Sequence, residues 1–148
     1  MEDREEKEER EERERKQRER QKQYDRLIKR EEENLDKMRA VQEEMGYLNR
    51  SLNACINIAS ESILSIGLRK RYDRMTQANY NSYARANRSI DQQIDDKKKE
   101  IERLQEEKIQ TYEQDKKEAR EQDEKAKEKQ KEEEEQEEKK ETKDYSNE

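Results

Sequence analysis

The sequence contains no histidine, proline, tryptophan or phenylalanine, and it has only two glycines and one cysteine. Cys55 alone can form neither an internal disulfide nor, without histidine, a metal cluster of Cys and His ligands. The same absences remove Ser/His/Asp and Cys/His catalytic sets, and no glycine-rich phosphate loop is present. We therefore expect no cofactor, no metal site, no small-molecule substrate and no enzymatic activity.

Apolar residues are also scarce. They make up 25% of the chain, while charged residues make up 53%, against about 45–50% and about 25% in ordinary globular domains. Such a chain cannot bury a wide core, which excludes a compact α/β or β fold. The dominant residues, Glu, Lys, Arg and Gln, are strong helix formers. The composition predicts an all-α protein in which a narrow apolar seam between helices suffices.

No stretch of the sequence is long and apolar enough to suggest a membrane span. The most apolar run, 54–68, is too short and is interrupted by Asn57 and Glu61. No signal-peptide pattern follows Met1. We expect no membrane insertion, and a cytoplasmic protein or one exported without a cleaved signal peptide.

The distribution of charge divides the chain into three segments. Residues 1–23 hold nine basic and ten acidic residues, and 113–148 hold ten basic and sixteen acidic residues. Both are low-complexity extensions, which we interpret as solvated helices that fray outward, with an alternative role as interaction tails. The middle, 24–112, carries the apolar residues and is predicted to be the helical domain.

The first half of 24–112 shows an unbroken heptad repeat, which predicts a helix. With Tyr24 set at position a, every position a from 24 to 66 is apolar or aromatic except Glu31. Position d is apolar from Leu27 onward except at Asn34 and Ser62. Four apolar residues at position e form a third line beside these two. The three lines are: a, Tyr24, Met38, Met45, Leu52, Ala59 and Ile66; d, Leu27, Val41, Leu48 and Cys55; e, Ile28, Leu35, Ile56 and Ile63.

A second, thinner repeat follows Gly67. One heptad position holds Tyr80, Asn87, Ile94 and Ile101, and another holds Tyr83, Ile90, Lys97 and Leu104. Asn87 and Lys97 cost stability in such positions but can fix the register against a partner.

The two repeats are nearly equal in length and lie symmetrically about Gly67, a residue that readily ends a helix in the left-handed conformation. This favours a long antiparallel two-helix hairpin that bends near 65–70 over a continuous rod. A second bend is possible at 79–82, where Asn and Ser favour turns.

Two helices packed together bury little surface. The apolar residues at position e make the apolar surface of the first repeat wider than one partner helix can cover. Surplus apolar surface of this kind usually marks an interface. We therefore predict a helical protein partner, either a different chain or a second copy. Cys55, at position d, is interpreted as a small buried apolar residue. The predicted interface residues are Leu35, Met45, Leu52, Ile56, Ile63, Ile90, Ile94 and Ile101.

A cluster of one charge sign lies at the expected tip. Arg69, Lys70, Arg71 and Arg74 fall within six residues, with Asp73 the only acid there. Nearby tyrosines and two further arginines, Tyr72, Tyr80, Tyr83, Arg85 and Arg88, make contact with a protein or a nucleic acid possible. The pI near 5.2 disfavours nucleic acid. The alternative is a solvated turn kept soluble by its charges.

The central 90 residues resemble the small helical-hairpin proteins of Gram-positive type VII secretion, the WXG-like and YwqH-like accessory proteins that accompany LXG toxins. The resemblance rests on a glycine-centred turn at Gly67, an aromatic residue one turn later at Tyr72, and a tyrosine-rich second helix that continues as Ile90-x-x-x-Ile94. The chain departs from the family at Ser65, where a tryptophan is expected, and at Tyr72, which is one residue closer to the glycine. The resemblance implies that the protein binds the helical targeting region of a secreted toxin and presents it for export.

Two other classes fit the same composition. One is an acidic coiled-coil scaffolding protein of the phage-scaffold type, which self-assembles and transiently binds a shell protein. The other is a coiled-coil linker that measures distance. The partner that co-purifies with the chain distinguishes the three.

Overall fold

The computed structural model describes residues 4–63 and 65–144, and two helices account for nearly all of them. Helix α1 runs over Arg4–Glu61 and helix α2 over Ile66–Asp144, with no strand in the described ranges. The two helices pack against each other. Cross-helix hydrogen bonds show that the pair is antiparallel. Gln42 of α1 bonds to Asn87 of α2, whereas Asn53, which is later on α1, bonds to Asn79, which is earlier on α2. The prediction of an all-α helical hairpin is confirmed.

The chain divides into two compact units. Met1–Lys22 groups with Glu106–Glu148, and Gln23–Gln105 forms the second unit. We call them the terminal unit and the central unit. The charged extensions predicted as separate segments, 1–23 and 113–148, thus contribute to one unit.

Helix α1 ends at Glu61 and α2 begins at Ile66, so the chain turns at the start of the predicted bend near 65–70. The Ile63 amide donates to the Ser60 carbonyl at 3.2 Å, which closes the end of α1. The Ser65 carbonyl accepts from the Arg69 amide at 3.0 Å, the first helical bond of α2, and serine is a favoured residue at such a start. The expectation that Gly67 takes a left-handed conformation is wrong. Gly67 lies inside the first turn of α2, and no described glycine has a positive φ.

The second bend expected at 79–82 is also wrong, because α2 continues through it. The physical reason is a cross-helix contact that satisfies the amide there. The side-chain amide of Asn79 donates to Asn49 Oδ1 at 3.0 Å and to Asn53 Oδ1 at 2.9 Å. An asparagine bonded to the opposite helix has no need of a turn in its own backbone.

The charged extensions, 1–23 and 113–148, are helical, as expected, through the described residues 4–23 and 113–144, while 1–3 and 145–148 lie outside the described residues. Within them, ion pairs form one turn apart, including Lys16–Glu12 at 2.8 Å and Arg18–Glu14 at 3.3 Å. Each such pair stabilises a helix by about 0.2–0.5 kcal/mol. Many weak pairs of this kind support helices that bury few apolar side chains.

A buried carboxylate joins the two helices of the terminal unit. Asp115 retains 4% of its accessible surface and accepts from Arg20 Nη2 at 2.6 Å. Gln17 donates its side-chain amide to the Asp115 backbone carbonyl at 3.4 Å. Asp115 Oδ2 is buried without a hydrogen-bond partner. It lies beside a groove of about 660 Å³ whose lining includes Arg13 and Lys16.

Candidate protein-binding interface

The seam of the central unit is apolar at the end away from the turn. Leu35 of α1 packs with Ile94 and Ile101 of α2, and three half-buried side chains surround this cluster: Ile28, Met38 and Ile90. Leu104 and Ile56 are the other buried apolar residues. The two heptad lines predicted on α2 therefore face α1 at Ile90, Ile94, Ile101 and Leu104.

The structure corrects the register predicted for α1. Along most of α1, positions a and e face α2 and position d faces outward, although Leu52 at position a is 48% exposed. Ile56, at position e, keeps 7% of its surface, whereas Leu48, at position d, keeps 64%. The three lines are adjacent on the helix and all are apolar, so one partner helix covers only two of them. Which two of the three lines are covered depends on the side chains that α2 places opposite them.

The residues predicted to contact a partner lie mainly inside the hairpin. The structure buries Leu35, Ile56, Ile94 and Ile101, and it half-buries Met45, Ile63 and Ile90. Leu52 is 48% exposed and remains accessible. The idea that position e is surplus surface is therefore wrong at Leu35 and Ile56, because α2 covers them.

Polar residues of the seam find partners on the opposite helix of the same unit. Lys97 pairs with Glu31, the exception at position a. Gln42 donates to Asn87 Oδ1 at 3.1 Å and to Asp91 Oδ1 at 2.6 Å. These pairs penalise a shifted register because a shift leaves half-buried polar groups unpaired. Asn87 and Lys97 thus bond within the chain, where a partner was expected.

Towards the turn, the seam becomes polar. Asn79 bonds to Asn49 and Asn53, and Thr76 is half-buried with its hydroxyl donating to the Tyr72 carbonyl at 3.1 Å. Several apolar side chains of this region, among them Leu48, Leu52 and Met75, are exposed instead, while Ile56 stays buried in the seam. A helix pair with amides inside and leucines outside has its apolar surface available to another molecule.

We call the outward surface near the turn the apolar flank and define it as Val41, Leu48, Leu52, Cys55, Leu68 and Met75. All six residues are exposed. Leu48 directly precedes the seam residue Asn49, and Met75 directly precedes Thr76 at the equivalent position of α2. In an antiparallel pair of right-handed helices, such residues lie on the same side of the seam. The flank is therefore one surface formed by both helices.

Cys55 belongs to this flank. It is a free, exposed thiol, which corrects its interpretation as a small buried residue. The error follows from the register, since the sequence places Cys55 on the same line as Val41 and Leu48.

The residues of the predicted basic tip, Arg69, Lys70, Arg71 and Arg74, are all exposed. Arg69 contributes to the turn, because its Nε donates to the Ile63 carbonyl at 2.7 Å. Arg71 and Arg74 lie three residues apart on α2, and Arg85 and Arg88 repeat this spacing two heptads later. The four share one outward face, which we call the arginine row.

Among the described residues, Glu12 and Glu100 have clearly lowered pKa values, and both sit in surface ion pairs. The hydrogen bond from Lys16 lowers the pKa of Glu12, and the hydrogen bond from Arg103 lowers that of Glu100. Shifts in this direction keep a carboxylate ionised, whereas a general acid near neutral pH needs a raised pKa.

Among the described residues, no group of three acidic or cysteine side chains is placed to hold a metal ion. No helix in the described ranges combines the length and apolarity that crossing a bilayer requires. No protein-family model matches the chain, and neither a curated protein nor a solved structure matches it significantly.

Proposed function

We propose that the protein is a non-enzymatic module that binds a helical protein partner through the apolar flank. The observation that supports this most directly is the inverted character of the hairpin near its turn. There asparagines bond across the seam beside the buried Ile56, while Leu48 and Leu52 are exposed. Leucines placed at heptad spacing on a charged, otherwise polar chain are suited to a third helix laid against the pair.

The resemblance noted in the sequence makes the proposal more specific. We propose that the partner is the helical targeting region of a secreted toxin, and that the protein acts as an accessory or targeting factor for type VII export. The hairpin architecture is compatible with that role, and the flank supplies a surface for a toxin helix.

The second candidate is an acidic coiled-coil scaffolding protein that assembles with copies of itself. The observation that favours it is the terminal unit, whose helices carry repeated ion pairs on solvated surfaces. In that case, the flank binds another copy, and mass measured on the isolated chain detects the assembly.

The test is co-expression with the helical region of a candidate toxin, followed by size-exclusion chromatography with light scattering. We expect a heteromer for the native chain. The variant L48Q/L52Q should weaken it by a factor of about 30–100, because two half-exposed leucines contribute about 2–3 kcal/mol when a partner covers them. Circular dichroism should show unchanged helicity.

The matched control is I109Q/Y112Q, which removes two exposed side chains of similar exposure outside the flank. It should bind like the native chain. Self-association that requires Leu48 and Leu52, without a heteromer, favours the scaffolding function. Equal binding by both variants overturns the proposed interface.

A further inference from the structure

The arginine row presents four exposed guanidinium groups. No hydrogen bond or ion pair within the described part of the chain involves Arg71, Arg74, Arg85 or Arg88. Some other exposed arginines pair with an acid three or four residues away on the same helix, as Arg18 does with Glu14 and Arg39 does with Asp36. The row differs from those mixed-charge surfaces.

The sequence keeps acids away from the row. The residues three and four positions from Arg71, Arg74 and Arg85 are neutral or basic. Asp91, three residues after Arg88, is engaged by the amides of Gln42 and Asn87 at 2.6 Å and 3.2 Å. Arginines three residues apart repel each other on a helix, so the isolated hairpin gains nothing from this arrangement.

The row borders the apolar flank. Arg71 lies three residues after Leu68 and four before Met75, so these three side chains are surface neighbours on α2. A helix seated on the flank therefore presents one of its edges to the row. The spacing of 14 residues between Arg71 and Arg85 is two heptads, about 21 Å along a helix. A partner helix that follows α2 repeats its own edge residues at the same interval.

The net charge of the hairpin near its turn indicates which charge the partner helix should carry along the edge that faces the arginine row. Residues 45–90 contain seven basic and two acidic residues, a net charge of +5, in a chain of net charge −6. A second copy placed with its own row against this one meets repulsion. Nucleic acid is repelled by the rest of the chain and has no side chains to fill an apolar flank.

We propose that the partner is an acidic amphipathic helix, with apolar residues on the flank and Asp or Glu residues along the edge that pairs with the arginine row. This inference rests on the proposed function, because it assigns the chemistry of the partner at the same surface. The arginines steer the acidic helix to the flank and select its orientation, while the flank supplies the buried area.

The experiment measures the binding of labelled helical peptides to the full chain by fluorescence anisotropy. Three peptides share the same leucine heptads and differ in one edge, which carries Glu, Gln or Lys. At about 50 mM salt, we expect the Glu peptide to bind at least about 10-fold tighter than the Gln peptide, with the Lys peptide weakest. At about 0.5 M salt, the three should converge to within about 3-fold, since salt screens exposed charges.

Two variants separate the row from general charge. R71Q/R74Q/R85Q/R88Q should remove the preference for the Glu peptide. R15Q/R26Q/R30Q/R120Q is the matched control, because it removes four exposed arginines outside the row and should retain the preference.

The outcomes distinguish the two proposals. Equal affinity for the Glu and Gln peptides, with both lost in L48Q/L52Q, overturns the acidic edge and leaves the proposed function standing. No binding of any peptide at about 100 µM overturns both. A preference retained by the row variant, or a labelled oligonucleotide that binds tighter than the Glu peptide, also overturns the inference.

Discussion

Replacing Ile56 with glutamine should destabilise the hairpin by about 2–4 kcal/mol, whereas the same replacement at Ile58 should change stability by less than about 0.5 kcal/mol. The two residues are separated by one position on α1, but Ile56 is 7% exposed and Ile58 is 66% exposed. The Ile56 variant loses apolar burial against α2 and forces an amide into the seam. Ile58 already lies in water.

Urea and thermal unfolding followed by circular dichroism measure both variants. The comparison tests the register directly, because the identical side chain is exchanged on the same helix. Equal destabilisation at the two positions would contradict the placement of position e in the seam.

Removing Arg20 should be the most damaging change in the terminal unit. R20M leaves the buried carboxylate of Asp115 without its 2.6 Å ion pair, and Asp115 Oδ2 already lacks a partner. Leaving a buried acceptor unsatisfied costs about 1–3 kcal/mol. R18M is the control, because Arg18 pairs with Glu14 on the surface and such pairs contribute about 0–1 kcal/mol.

A double variant completes the design. R20M/D115L replaces the buried pair with apolar side chains and should recover much of the stability lost in R20M. Amide exchange of residues 106–132 reports on the terminal unit. If the amides of residues 106–132 exchange at the same rates in R20M and R18M, the terminal unit does not depend on the pairing of Asp115 with Arg20.

The helical hairpin was predictable because the chain lacks proline and places two apolar repeats symmetrically about residue 67. The register could not be predicted. Positions a, d and e of α1 are adjacent and largely apolar, so the sequence of α1 alone does not determine which two of these lines face α2. A signal was available in the polar exceptions. Glu31 at position a complements Lys97, and Gln42 on the line of Leu35 complements Asn87.

The positions of the turn and of the interface were also not predictable in detail from the sequence. The conformational freedom of Gly67 suggests a turn at that residue, yet Ser65 makes the first helical bond of α2 and Gly67 follows inside the helix. The surplus apolar surface was expected at position e, whereas the proposed flank is formed mainly by position d of α1, with Leu52 of position a and Leu68 and Met75 of α2. The arginines were identified from the sequence as a tip cluster, but their arrangement with Arg85 and Arg88 as one row became evident only with α2 continuous through 79–82.

The polarity of the seam also leads to a prediction about the order in which the hairpin assembles. Asn53 and Asn79 are 26 residues apart, whereas Glu31 and Lys97 are 66 apart. For a flexible chain, closing the longer loop costs about 0.8 kcal/mol more, less than the roughly 1.5–3 kcal/mol from burying one isoleucine. We therefore expect the apolar contacts across the larger loop to form first, and the segment near the turn, where Ile56 lies beside the seam asparagines, to be secured last. Amides of 49–60 and 70–83 should exchange sooner than those of 28–38 and 90–104. A partner thus meets the part of the hairpin that rearranges at the lowest cost.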